Sequence, residues 1–150
     1  MRFLILTAVA VLILGGVAYF EYRTPVYGTG EFSGVSLNIE YALTKETRER
    51  GLSDRGEMPA NSAMLFVFPA ADRHGFWMKD MLFSIDIFWF DDQGQVIWIT
   101  EDVSPATYPS VFYPPKPVHY VLEAPAGFAT SHNIDIGAQL HLQSWPIVSE

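Results

Sequence analysis

From Phe3 to Phe20 the chain reads as one apolar run, interrupted only by Thr7, Gly15 and Gly16, with no polar face. As a helix it would be about 27 Å long, close to the roughly 30 Å hydrocarbon thickness of a bilayer. With Arg2 and the amino terminus held in the cytoplasm, everything after the run is exported. Tyr19, Phe20 and Tyr22 supply interfacial aromatics, so residues 1–23 are read as a retained transmembrane anchor in the cytoplasmic (inner) membrane. The competing reading is a signal peptide cleaved after Gly16-Val17-Ala18, which would release the domain into the periplasm. Residues 24–34, rich in Gly, Pro and Thr, read as a flexible tether. The exported domain is then 35–150.

Within that domain the hydrophobic period changes. Val35-Ser-Leu-Asn-Ile-Glu-Tyr41 alternates apolar and polar, the mark of a half-buried strand. Thr44 can cap a short helix that Gly51 ends. Six further runs predict strands: 63–68, 75–79, 84–90, 95–100, 118–123 and 139–143. All are short, aromatic or β-branched, and bounded by Gly, Pro, Asp or Asn. Asp91-Asp-Gln-Gly94 fits a hairpin turn. Ser104 to Pro117 carries five prolines together with Tyr108, Phe112 and Tyr113, so it is expected as an extended surface loop offering an apolar face. The fold class that follows is mainly β, an antiparallel β-barrel or sandwich-like domain with one short helix, behind an N-terminal transmembrane helix.

Pleat arithmetic gives a sharper expectation. If residues 80–83 connect two neighbouring strands, Trp77 opposes Asp86 and Lys79 opposes Ser84. Trp77, Lys79, Asp86 and Phe88 then share one face, and Phe76, Met78, Ile85 and Ile87 share the other. Asp86 becomes a carboxylate among Trp, Phe and Ile, with Lys79 one diagonal step away. Such a carboxylate needs a partner or a shifted pKa. The pair serves either as an ion pair that fixes register or as part of a ligand site.

Composition narrows the chemistry. The 150 residues include no cysteine, so disulfides, thiol nucleophiles and Cys-ligated metals are excluded. Nine Lys and Arg against seventeen Asp and Glu, a net charge of −8, argue against a nucleic-acid partner. The charges are unevenly placed. Six basic residues (Lys45, Arg48, Arg50, Arg55, Arg73 and Lys79) and six acidic ones fall between Lys45 and Met81, whereas beyond Leu82 only Lys116 is basic. Removing the apolar anchor leaves 23 charged residues among 127, still low for a soluble domain.

No GxSxG, HExxH, P-loop or EF-hand pattern is present. His74, His119, His132 and His141 have no triad-like neighbours and read as ordinary surface residues. Met58, Met64, Met78 and Met81 with His74 are soft ligands in an exported protein, yet a Met among aromatics is more often a packing residue. No metal and no cofactor is called for.

The motifs Thr44-x-Glu-x-Arg-x-Arg-Gly51-Leu52, Met64-Leu-Phe-Val-Phe68, Phe76-Trp-Met-Lys79, Ile85-Asp-Ile87, Gly94-x-Val96 and Val121-Leu-Glu123, with Gly127 and Gly137, are similar in order to the bacterial and archaeal family called domain of unknown function 192. The resemblance implies a compact β-rich domain behind a signal or anchor, with no agreed activity. Residue by residue it carries over to Trp77, Met78, Lys79, Asp86 and Glu123. Ser53, Ala63, Asp80 and Ser84 depart from the pattern. The candidate ligand-binding residues are therefore Trp77, Met78, Lys79, Asp86 and Glu123, with no catalytic set. The expected function is a membrane-anchored, non-catalytic extracytoplasmic binding or accessory domain, docking a protein partner or a small ligand. The alternatives are a structural subunit of a membrane complex with Gly15-Gly16 at the helix contact, and an exported hydrolase using Asp86 and Glu123 as a carboxyl pair.

Overall fold

The structure, a computed structural model, describes residues 25–148. The expected anchor lies outside the described residues, and among these no helix is long and apolar enough to cross a membrane. The strands are β1 (Val26–Phe32), β2 (Val35–Ala42), β3 (Ser62–Asp72), β4 (Phe76–Trp77), β5 (Ile85–Phe90), β6 (Val96–Val103), β7 (Val111–Phe112), β8 (Val118–Pro125) and β9 (Leu140–Leu142). Two short helices, α1 (Lys45–Arg50) and α2 (Phe128–Ser131), stand where one was expected.

Seven strands form one sheet in the order β6-β5-β8-β3-β2-β1-β9. It is mixed rather than antiparallel, because β2 and β3 run parallel. The connection through α1 and residues 51–61 is long enough to carry the chain back to the start of the sheet, as a parallel neighbour requires. The sheet curls until its edges meet. Val96 N–H donates to Ala138 O at 2.9 Å, Gly137 N–H to Val96 O at 2.8 Å and Leu140 N–H to Gly94 O at 3.0 Å. The result is a mainly β, curled half-barrel.

Residues 24–34 contain a strand where a tether was expected. β1 pairs with both β2 and β9, and Phe32 is fully buried. The glycines that suggested flexibility make room for neighbours instead. A Cβ on Gly28 would meet Tyr41 Oη at 2.5 Å, and one on Gly30 would meet Leu142 Cδ2 at 2.7 Å. Ser33 and Gly34, both at positive φ, make the two-residue turn into β2.

Local signals elsewhere act as expected. Thr44 Oγ1 accepts Thr47 N–H, and Thr47 Oγ1 accepts Thr44 N–H, a capping box that starts α1. Asp91 Oδ1 accepts the N–H groups of Gln93 and Gln95, closing the turn before β6. Gly94 sits there at φ 80 with the Trp145 ring pressed against it, which leaves no room for a Cβ.

The core has two layers. Phe32, Leu37, Ile39, Leu65, Phe88, Phe90, Leu122 and Phe128 fill the hollow of the half-barrel. Phe32 lies edge-on to Phe88 with ring centroids 5.3 Å apart. The outer faces of β3, β5 and β8 carry a second layer of Met64, Phe66, Ile85, Ile87, Trp89 and Val121, covered by Leu52, Phe76, Met78 and Met81. Hence β5 is buried at all six positions.

Asp86 pins the end of the barrel. It is fully buried; Oδ1 accepts Asp102 N–H at 2.8 Å and Oδ2 accepts Ala129 N–H at 2.9 Å. Gly127, the N-cap of α2, has no side chain to offer, so the carboxylate from β5 satisfies a helix-start donor. Asp102, at φ 48 in β6, is held by the other oxygen. Asp86→Ala is expected to lower stability by roughly 2 to 5 kcal/mol through two orphaned donors. Asp86→Asn, which keeps one acceptor, should fall between it and the native protein in urea unfolding.

Candidate functional site

β8 lies between β3 and β5, and Glu123 pairs with Met64 on one side and Ile87 on the other. All three belong to the outer face of the sheet. The chain after α1 and the segment from β4 to Met81 lie over that face, leaving a cavity of about 330 Å³. Leu52, Phe66, Phe76, Met81 and Glu123 line it, with Trp77 and His74 beside them. Lys45, Arg48, Glu49 and Arg50 of α1 also line it, and Lys45, Glu49 and Arg50 are exposed to solvent.

Glu123 is the group that sets the chemistry of this cavity. Its side chain is 4% exposed, and its Oε2 has no hydrogen-bond partner among the described residues. Burial raises its pKa to about 8, an effect that the nearby Arg55 charge partly offsets. Arg55 is itself committed, holding Glu40 through two bonds of 2.7 Å each. At neutral pH the cavity therefore holds a carboxylic acid, able to donate one hydrogen bond.

The aromatic wall is built in part by Arg48. One of its nitrogens donates to Leu43 O and Val67 O, and its guanidinium lies 5.3 Å from the centroid of the Phe68 ring. Phe68 stacks on His74 at 3.5 Å, and burial lowers the His74 pKa. Trp77 is 53% exposed, an uncovered indole next to this wall.

The five candidate residues do not converge. Trp77 and Glu123 line the cavity; Met78 is buried in the layer that covers the sheet; Lys79 is exposed. The Lys79 carbonyl accepts the Ser53 hydroxyl at 3.1 Å. The expected Lys79–Asp86 pair does not form. β4 pairs with β7, not with β5, so the register that joined the two residues does not exist. Phe76 and Met78 do share a layer with Ile85 and Ile87. Asp86 opposes Ala124 and points into the barrel, while Glu123 points outward, so the two acids lie on opposite faces. That arrangement removes the carboxyl-pair hydrolase geometry.

Sequence reasoning missed Leu52, Phe66, His74 and Met81 as cavity residues. A signal for two of them existed. The motif segments Gly51-Leu52, Met64–Phe68, Phe76–Lys79 and Val121–Glu123 all meet around this cavity.

Fold and cavity together define a curled half-barrel with one buried acid under a side cover. The chain belongs to the DUF192 family (Uncharacterized ACR), whose model matches residues 29–142. A crystal structure from Sinorhizobium meliloti 1021, of a protein called a "putative transcription regulator", is similar at 29% identity and TM-score 0.69, covering 71% of this chain and 82% of that one. A protein of unknown function from Novosphingobium aromaticivorans DSM 12444 shares the fold at 24% identity and TM-score 0.72, over 87% of this chain and 91% of that one. No curated protein matches the chain.

The raised pKa of Glu123 predicts a pH dependence. The folded protein holds a proton that the unfolded chain releases between 4.5 and about 8, so the contribution of Glu123 to stability is greatest below 4.5 and falls as pH rises through that window. The slope reaches at most about 1.4 kcal/mol per pH unit. Glu123→Gln should remove this contribution, and the difference between the two proteins' urea midpoints at pH 5 and pH 9 measures it.

Proposed function

We propose that this protein is a non-catalytic binding domain, held by its N-terminal helix to the extracytoplasmic side of the inner membrane, and that it takes a small ligand in the cavity over Glu123. One observation carries the binding reading: Glu123, whose buried carboxyl has one oxygen without a partner among the described residues, lines a cavity of about 330 Å³ with an aromatic wall. Native folds rarely leave such an oxygen unmet, and a ligand supplies the missing hydrogen bond. The location rests on the apolar run from Phe3 to Phe20 behind Arg2. A regulator role through nucleic acid, as the name of the Sinorhizobium protein suggests, finds no support in a chain of net charge −8.

Two outcomes are expected. After alkaline carbonate extraction the full chain stays with the membrane, whereas deletion of residues 1–23 releases it. In a ligand-observed fluorine NMR screen of small aromatic fragments, the native protein broadens a subset of signals. Ser53→Phe, which puts a ring into the cavity lining, abolishes that broadening while the protein remains folded. Equal broadening by both proteins would refute the cavity as the site. Partner capture that needs residues 1–23 and survives Ser53→Phe would instead favour a structural subunit joined through its anchor.

A further inference from the structure

Resting on the proposed cavity site, we infer that its ligand class is the small organic monoanion, a carboxylate on an apolar or aromatic body, held through the Glu123 side chain and the basic residues of α1.

Three observations converge on this class. Glu123 is nearly fully buried, its Oε2 faces no protein donor or acceptor, and Leu52, Phe66, Phe76 and Met81 surround the cavity with apolar surface. An uncharged acid there can donate one proton, and the strongest acceptor for an O–H is an anionic oxygen. The α1 side chains that line the same cavity are Lys45, Arg48 and Arg50 against the single acid Glu49. In a chain with almost twice as many acidic as basic residues, this is a local reversal of sign. The cavity volume is at the small end for ligand sites, which suits a single ring or a short chain.

A cation is disfavoured by the same groups. The remaining charges near Glu123 are Arg55, which is paired with Glu40, and His74, whose burial favours its neutral form. Neither offers a negative counter-charge, and the other acid of the lining, Glu49, is paired with Lys45 at 3.7 Å. An entering carboxylate and the Glu123 acid share one proton between two oxygens, which holds that proton in place as the ligand binds. Binding therefore belongs to the protonated form of Glu123 and is lost at alkaline pH.

Full-length protein in detergent micelles, titrated with 4-fluorobenzoate, 4-fluorobenzamide and 4-fluorobenzylammonium by fluorine NMR, tests the class. The benzoate is expected to bind most tightly at pH 6 and about 30-fold more weakly at pH 9.5, as a group titrating at about 8 dictates. Glu123→Gln, which keeps a neutral donor, should bind the benzoate with the same affinity at both pH values. Lys45→Gln with Arg50→Gln should weaken the benzoate by about 3- to 10-fold in low salt, leave the amide unchanged and lose its effect in high salt. Tighter binding of the amide or the ammonium, sensitive to Ser53→Phe, would overturn the anion class and keep the cavity. A benzoate affinity that is flat with pH in the native protein, or a Glu123→Gln profile identical to the native one, would overturn the role of Glu123. No binding of any probe, with native and Ser53→Phe spectra alike, would overturn cavity and class together.

Discussion

Covering β3, β8 and β5 on both faces is the constraint under which the rest of this domain is arranged. A strand covered on both faces offers its side chains no solvent, so any polar residue in it must find a partner within the protein or give up its charge. Asp86 and Glu123 are the two buried polar or charged residues among those described, on adjacent strands and on opposite faces. Asp86 receives two backbone N–H groups and becomes a peg joining β5 to β6 and α2. Glu123 has a partnerless oxygen, and burial pushes its proton affinity upward. Similar burial thus yields a hydrogen-bonded structural group in one layer and an acid with a raised pKa in the other.

The side cover follows from that division. Met78, Met81 and Phe76 are buried because the outer face of the sheet must be covered, and the two-residue ribbon of β4 with β7 anchors the cover to the proline-rich loop. The cover seals against Phe66 and Trp89 through edge-on rings with centroids 4.9 and 6.2 Å apart. Where it meets α1 the seal is incomplete, and the cavity occupies that gap.

Much of this was legible along the chain because it depends on near neighbours. The strand positions, the Thr44 cap and the turn at Asp91–Gly94 are set by residues within a few positions of one another. Failures fall where distant segments compete. Pairing β4 with β5 is the economical choice for a short connection, but β4 joins Val111–Phe112, some 35 residues on. The antiparallel expectation failed because nothing local to β2 or β3 encodes the direction in which α1 returns the chain. Gly28 and Gly30 look flexible in sequence, and only the Tyr41 and Leu142 side chains beside them reveal why no Cβ fits. Glu123 could be marked as a candidate from its motif. Its isolation from hydrogen-bond partners could not, since that is a property of four segments meeting.

The seam of the barrel carries a consequence for biogenesis. β1 follows directly after the N-terminal segment, yet its outer neighbour is β9, at residues 140–142. In a chain that emerges amino end first, one edge of β1 therefore stays open until nearly all of the domain has been delivered. The first of these three residues, Leu140, with Gly137 and Ala138 before it, also joins the far edge at Gly94 and Val96. One short stretch at the end of the chain thus closes both unpaired borders of the sheet in a single event. Interruption of synthesis before residue 140 would leave two open strand edges, the features through which β proteins stick to one another.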